Sequence, residues 1–165
     1  MATTARFSSM PNINIGRTRW HMTHDHPTSW QHGRLIPIDC VPVLPGDTFK
    51  LTLSSLIRMS TPIAPIMDNI RANVYAFFVP MRLVWEHTKE FFGENTTSSG
   101  PQLGSYLIPA MAYGTSGKKS AVVGSISHYL GKPYIASANY YGTPSPTLSV
   151  LKERAYLKIW NEWFR

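Results

Sequence analysis

The stretch Leu44-Pro-Gly-Asp-Thr-Phe-Lys-Leu-Thr-Leu-Ser54 decides the fold class that the sequence predicts. It opens with Pro45-Gly46, a dipeptide typical of tight turns. After the turn, Phe49, Leu51 and Leu53 alternate with polar residues. An alternation of period two indicates a β-strand with one buried face. The stretch therefore predicts a turn that leads into a half-buried strand.

The residues on either side extend this pattern, so that the whole region 34–80 is predicted to be rich in strands. Residues 36–40 also alternate, but Pro37 and Pro42 lack donors for a β-ladder, which indicates an edge strand or a broken one. The segment 73–80 is apolar on both faces, which predicts a strand that is covered on both sides. We therefore expect a mainly β protein with short helices and long loops.

Composition limits the class of protein further. The 165 residues are 43% hydrophobic and only 15% charged, and they include 13 prolines and 11 glycines. A typical soluble domain has about 25% charged residues. So low a charge fraction does not suit a disordered chain, and it favours a surface that partners cover.

Charge and cysteine content indicate the partners and the compartment. The formal net charge of +7 favours an anionic partner such as nucleic acid. Cys40 is the single cysteine and cannot form an internal disulfide, so we expect a reducing compartment. The longest apolar run, 74–79, is far shorter than the ~20 residues that span a bilayer. We predict neither a signal peptide nor membrane insertion.

The chain divides into two predicted parts. Residues 1–33 form a basic, histidine-rich arm without hydrophobic period, and residues 34–165 form the N-terminal part of a β-domain. Within the second part, residues 81–92 have the spacing of a short helix, and Gly93 stands where a C-cap glycine belongs. Residues 94–147, rich in Gly, Ser and Tyr, are predicted to be a large insertion loop.

Residues 148–165 carry the clearest helical signal. Leu151, Ala155, Ile159 and Trp163 recur every four residues, which predicts an amphipathic helix, and Ser149 is a suitable N-cap. The sequence stops on this helix without the Gly or Pro that usually ends one. We interpret the chain as a fragment that contains only part of its fold.

No pattern in the chain predicts catalysis. The arm histidines His21, His24, His26 and His32 offer zinc ligands, but they form no helical pair and have no supporting Cys or Glu pattern. A polar arm that hydrogen-bonds along a surface is favoured. Cys40 lies on the apolar face of a predicted strand, which is typical of an inert thiol. We predict no enzyme activity, no metal and no cofactor.

Basic residues are the best candidates for contact with nucleic acid. The set comprises Arg6, Arg17, Arg19, Lys118, Lys119 and Lys132. The nearby aromatic residues Phe7, Trp20 and Trp30 are candidates for stacking on unpaired bases. Solubility and contact with other protein chains explain the same charges equally well, and both interpretations stay open.

Aromatic residues near the two predicted helices are the candidates for packing within the core or between subunits. They are Trp85, Phe92, Tyr156, Trp160, Trp163 and Phe164. The last helix carries more aromatic side chains than one small face can bury, so part of it should meet another surface.

Five segments, taken in order, resemble the major capsid protein of gokushovirus-type microviruses, which are small tailless phages with single-stranded DNA. They are Leu44-Pro-Gly-Asp-Thr-Phe-Lys50; Arg58-Met-Ser-Thr-Pro-Ile63 with Ile66-Met-Asp-Asn69; Phe77-Phe-Val-Pro-Met-Arg-Leu-Val-Trp-Glu86 with Phe92-Gly-Glu-Asn95; Ser125-Ile-Ser-His-Tyr-Leu-Gly-Lys-Pro133; and Ile159-Trp-Asn-Glu-Trp-Phe-Arg165. The match runs from about residue 34 to the end of the chain.

The resemblance implies an eight-stranded antiparallel viral jelly roll with large insertions, of which this chain contains only a part. It implies a structural subunit whose copies build the smallest icosahedral shell around circular single-stranded DNA. It also implies scaffolding and small DNA-binding proteins as partners, assembly in the bacterial cytoplasm and a final place in the virion. The alternative from another class is a stand-alone β-protein that binds single-stranded DNA.

Overall fold

The computed structural model describes residues 16–94, 106–112, 122–133 and 147–165. The elements are a 3-10 turn at Met81–Leu83, helix α1 at Thr88–Phe91, strand β1 at Ala110–Ala112, helix α2 at Ile126–Tyr129, strand β2 at Thr147–Ser149, helix α3 at Leu151–Ile159 and a π-helical turn at Trp160–Phe164. The small antiparallel sheet β1–β2 and the few short helices agree with the predicted class only in outline.

The predicted turn before residue 48 is confirmed. The backbone N–H of Asp47 donates to the carbonyl of Leu44 at 3.1 Å, and the Asp47 carboxylate accepts from the Leu44 N–H at 3.2 Å. Gly46 has a φ of 88°, which only glycine adopts readily, and Pro45 precedes it. This is the arrangement of a Pro-Gly type II turn.

The strands predicted in region 34–80 do not appear as strands in the structure. No residue between 16 and 80 is assigned to a strand, and Phe49, Leu51 and Leu53 are all exposed. A strand exists only when a neighbouring strand accepts its N–H groups and donates to its carbonyls. Alternation marks which face is apolar, but it cannot supply that neighbour.

The segment 73–80, predicted to be covered on both sides, is covered on one. Phe77 and Val79 are partly buried, whereas Phe78 is 80% exposed. The covering side chains come from the C-terminal end of the chain, where Phe164 meets Tyr75 at a centroid distance of 5.7 Å. The opposite face, which carries Val74 and Phe78, is more than half exposed at both residues.

The helix predicted at 81–92 is divided into two pieces. The 3-10 turn and α1 are separated by residues 84–87, and Trp85 in this gap is the most buried apolar residue described. The predicted glycine cap is confirmed, since Gly93 has a φ of 96° and Glu94 donates to the Lys89 carbonyl at 2.9 Å. These are the features of a Schellman motif.

The predicted insertion 94–147 contains ordered elements that its composition did not indicate. Strand β1 pairs antiparallel with β2, with Met111 opposite Leu148. One further bond, from Val150 N–H to the Pro109 carbonyl at 3.0 Å, extends the ladder. Because the two strands are far apart in sequence, their pairing places residues 110–112 of the predicted insertion next to the start of α3.

Helix α2 is fixed at both ends. The Ser125 hydroxyl accepts from the His128 N–H at 3.3 Å, as an N-cap does. At the other end Gly131 has a φ of 82°, and Lys132 N–H reaches back to the Ser127 carbonyl at 3.0 Å. This second Schellman motif sets the direction in which the Lys132 side chain leaves the helix.

The C-terminal helix begins later than predicted, at Leu151, because residues 147–149 belong to β2. The N-cap is Val150 and not the predicted Ser149, although the Ser149 hydroxyl accepts from the Leu151 N–H at 3.3 Å. From Trp160 the helix continues as a π-helical turn, with the Trp160 and Phe164 rings stacked at 6.1 Å.

The described residues bury little apolar surface. Trp85, at 5% exposed, is the one hydrophobic residue among them that is buried. The described residues do not by themselves form the jelly roll predicted from the resemblance, because the segments expected to be its strands have no ladder partners among them. Among the described helices, none is long and apolar enough to cross a membrane.

Candidate functional site

Two tyrosine hydroxyls bind the end of the arm to the helices. Tyr129 on α2 donates to the Ser29 carbonyl at 3.0 Å, and Tyr156 on α3 donates to the Leu35 carbonyl at 2.8 Å. Burial raises the pKa of the Tyr156 hydroxyl, which keeps it protonated as a donor. These two hydrogen bonds join the end of the predicted arm (residues 1–33) and the residues just after it to α2 and α3.

A cavity of about 250 Å³ lies at this junction. Its walls come from residues 33–37, from Gly124, Ile126 and Tyr129 around α2, and from Tyr156 and Trp160 at the C-terminal end. The walls are mainly apolar and aromatic, so the cavity suits a side chain of a neighbouring segment better than an ion.

Lys132 and Glu153 form the most buried ion pair described. The Lys132 Nζ lies 2.5 Å from Glu153 Oε1, and the side chains are 8% and 16% exposed. The sequence placed Lys132 among the nucleic-acid contacts, but here its charge faces inward and is neutralised by α3. We therefore assign it to the link between α2 and α3 and omit it from the proposed contacts.

His24 connects the arm to the segment that follows it. Its Nε2 lies 3.2 Å from Asp39 Oδ2, and its Nδ1 lies 3.2 Å from the Met22 carbonyl. The Asp39 carboxylate also accepts from the Cys40 N–H at 2.7 Å. This is the surface hydrogen bonding that the sequence favoured for the histidine cluster.

Metal binding by the histidines gains no support from their placement. In the portion of the chain with described structure, no three His, Cys, Asp or Glu side chains come together as a metal site. His21, His26 and His32 are exposed.

Cys40 is half-buried beside the start of α3. Burial raises the pKa of its thiol, the Asp39 and Glu153 carboxylates act in the same direction, and the Lys152 ammonium opposes them. A thiol with a raised pKa contains little thiolate at neutral pH, and the thiolate is the nucleophile. The environment is the opposite of the one that activates a catalytic cysteine.

Cys40 should therefore react with dithionitrobenzoate several-fold more slowly in the folded protein than in the same protein unfolded in urea at pH 7. Because the folded pKa is raised, the folded rate should continue to increase with pH after the unfolded rate has levelled off. Absorbance of the released thiolate measures both rates. Equal rates at neutral pH would contradict the environment described for Cys40.

The aromatic side chains of the C-terminal end form one cluster with the segment 73–80. We call this cluster, Tyr75, Phe77, Trp160, Trp163 and Phe164, the aromatic patch. Trp163 lies on Phe77 at a centroid distance of 5.8 Å, and Phe164 meets Phe77 edge-on at 6.1 Å. Trp163 nevertheless remains 70% exposed. The patch therefore joins the two segments and presents an apolar outer face.

The predicted packing residues divide into two groups. Trp85 is buried and Tyr156 and Phe164 are partly buried within the chain, whereas Phe92, Trp160 and Trp163 leave much of their rings exposed. Exposed aromatic rings of this size are typical of protein–protein interfaces and less so of surfaces that stay in contact with solvent.

Two of the predicted nucleic-acid contacts in the arm lie within the described residues. Arg17 and Arg19 are exposed, and Trp20 beside them is exposed as well. Arg6, Lys118 and Lys119 lie outside the described residues.

A second basic region was missed by the sequence reading. Arg82, Lys89 and Arg154 line one cleft of about 530 Å³, together with Trp85 and Glu86. The Arg154 Nη1 donates to the Val84 carbonyl at 3.4 Å, which joins α3 to the 3-10 turn. No local motif connects Arg82 with Arg154, because folding alone brings them together.

The described residues expose many aromatic and aliphatic side chains, as the contact surfaces of assembling proteins do. Comparison with known families gives the class directly. The model of the phage capsid protein (F protein) family matches residues 8–165. The chain belongs to that family.

Individual relatives agree. The chain is 35% identical to capsid protein VP1 of Spiroplasma virus 4, over 96% of this chain and 27% of that protein. It is 36% identical to capsid protein VP1 of Chlamydia phage 1, over 97% and 26%, and 30% identical to capsid protein VP1 of Bdellovibrio phage phiMH2K, over 96% and 28%. The resemblance to microvirus capsid proteins is confirmed.

The chain spans about a quarter of the length of these relatives. No solved structure gives a significant match.

Proposed function

We propose that this chain is part of the subunit of an icosahedral phage shell, and that copies assemble around single-stranded DNA. Its role is structural, with no catalytic step. The observation that carries the proposal is the surface exposed along residues 38–78, where nearly every large hydrophobic side chain is open to solvent. Each square ångström of such surface costs roughly 25 cal/mol when left in water. A subunit covered by neighbours avoids this cost.

The fold proposed for the complete subunit is the antiparallel jelly roll. The alternating segment at 48–54 and the apolar segment at 73–80 then become strands, paired with residues that the described part of the chain does not include. Pairing would satisfy their backbone groups and cover Phe78. The aromatic patch supports this arrangement, because it already holds one face of 73–80 against the C-terminal helix.

The partners proposed are other copies of the subunit, the packaged DNA, and phage scaffolding and DNA-binding proteins. Assembly takes place in the bacterial cytoplasm and the product is the virion. The positive net charge and the exposed cations Arg17 and Arg19 support the contact with DNA.

Trp163→Ala should lower the yield of particles from the complete protein coexpressed with its neighbouring genes. A tryptophan at the centre of an interface contributes at least about 2 kcal/mol, which is roughly thirtyfold in association. Sedimentation and negative-stain microscopy measure particle yield. Asn161→Ala, an exposed position on the same turn, is the control and should leave the yield unchanged.

The wild-type result tests the function itself. Uniform icosahedral particles would support the shell. A soluble monomer that never forms particles, yet binds single-stranded DNA tightly and in a salt-dependent way, would overturn it in favour of a stand-alone DNA-binding protein.

A further inference from the structure

The cleft lined by Arg82, Lys89 and Arg154 is open to solvent and has the volume of a binding site. Its volume of about 530 Å³ falls in the range of pockets that hold a small organic ligand or a nucleotide. Trp85 supplies an apolar wall and is only 5% exposed, because its ring packs on Phe91 at a centroid distance of 5.2 Å. The cleft therefore has a fixed base and a charged rim.

The two arginines of the rim have no acidic partner. In the described ranges neither Arg82 nor Arg154 forms an ion pair, and both side chains are exposed. The single bond from Arg154 to the Val84 carbonyl orients its guanidinium and leaves most of its donors available. Two arginines that converge on one cleft are suited to phosphate, since the guanidinium fork matches two phosphate oxygens.

Nearby carboxylates do not neutralise the cleft. Glu86 is the one acid that lines it, against three cations. Lys89 has Glu94 at 3.8 Å, but both side chains are more than half exposed, and such a pair is readily exchanged for another anion. The cleft keeps an excess of positive charge.

We propose that this cleft binds the phosphodiester backbone of single-stranded DNA. The inference rests on the proposed function and deepens it by assigning a contact surface within the subunit. Because Trp85 is buried and not available for base stacking, the contact reads charge and not sequence. It is distinct from the exposed arginines of the arm.

The test measures binding of the complete, unassembled protein to a fluorescein-labelled oligothymidylate of about 20 nucleotides by fluorescence anisotropy, between about 50 and 200 mM salt. Each phosphate contact to a single strand contributes about 0.7 to the slope of log K against log salt. The R82Q/R154Q variant should lower that slope by about 1.4 and weaken binding at least about tenfold at low salt. The R82K/R154K variant retains both charges and should recover most of the slope.

The matched control is R58Q/R71Q, which removes the same charge from two exposed arginines outside the cleft. It should change the slope much less than the cleft variant. An equal loss would show that net charge alone drives binding and would overturn the assignment. Circular dichroism checks that all variants keep the wild-type fold, and the lysine pair reports on the charge even where the glutamine pair unfolds.

Three further outcomes separate the assignment from the proposed function. If R82Q/R154Q bound the oligothymidylate as tightly as wild type while R17Q/R19Q bound it more weakly, the assignment of the cleft would be overturned. The proposal that the shell encloses DNA would stand. If the wild-type protein formed particles but had no affinity for the oligothymidylate, the cleft would not be a DNA-binding site. The proposed shell-building function would stand. Stronger, cleft-dependent binding of labelled oligoglutamate than of oligothymidylate would identify an acidic protein segment as the occupant and overturn the assignment.

Discussion

Replacing Lys132 with Met should lower the free energy of unfolding by about 3–5 kcal/mol. The change leaves the Glu153 carboxylate buried without its cation, and Glu153 Oε2 already has no hydrogen-bond donor among the described residues. Removing one member of a buried pair costs far more than the pair contributes, because an uncompensated charge stays in the interior. Urea unfolding of the purified protein at pH 7, followed by tryptophan fluorescence, measures the change.

A second ion pair provides a matched control. Lys158 Nζ and Glu162 Oε1 are also 2.5 Å apart, but their side chains are 37% and 52% exposed. Lys158→Met should therefore cost no more than about 0.5 kcal/mol. The two pairs share chemistry and distance and differ in burial.

The double variant K132M/E153L completes the test. Replacing both members with apolar side chains should return stability to within about 1 kcal/mol of wild type, since no buried charge is left. If K132M and K158M had the same small effect, the interior placement of the Lys132–Glu153 pair would be contradicted.

The Trp85→Ala variant should lose about 3–5 kcal/mol of stability, the range for removing a buried aromatic side chain. Trp85 lies between the 3-10 turn and α1, and its backbone carbonyl also accepts from the Thr88 hydroxyl at 2.6 Å. The cavity left behind would remove the packing that holds the cleft and α3 in place. Urea unfolding measures the loss.

Phe92→Ala is the control for this second variant. Phe92 is adjacent to Phe91 but mostly exposed, so its removal from the unassembled protein should cost less than about 1 kcal/mol. Equal effects of the two changes would show that Trp85 does not occupy the core.

Features that depend on nearby residues were predictable. The Pro45-Gly46 turn, the Gly93 cap and the helix through Leu151 and Ile159 each follow from side chains within one turn of chain. A positive φ needs glycine, and an amphipathic helix satisfies its own backbone hydrogen bonds. The division of the predicted 81–92 helix into two pieces was not predictable, because Trp85 in the gap between them is buried by tertiary packing.

Strands were predictable only as a pattern. The alternation from 48 to 54 correctly marks an apolar face. Formation of a β-ladder, however, depends on a neighbouring strand, which the sequence of this segment does not identify. The same limit hid the pairing of β1 with β2, whose three-residue strands are too short to show a period.

The sequence by itself determined the family, the positive charge, the absence of a disulfide within the chain and the amphipathic C-terminal helix. Only the tertiary structure decided which cations are available. Lys132 turns inward to Glu153, whereas Arg82 and Arg154 meet at one open cleft. The reason is physical: charge belongs to a residue type, but burial and proximity arise from the path of the backbone, which here is set by a Schellman cap and by one hydrogen bond across the chain.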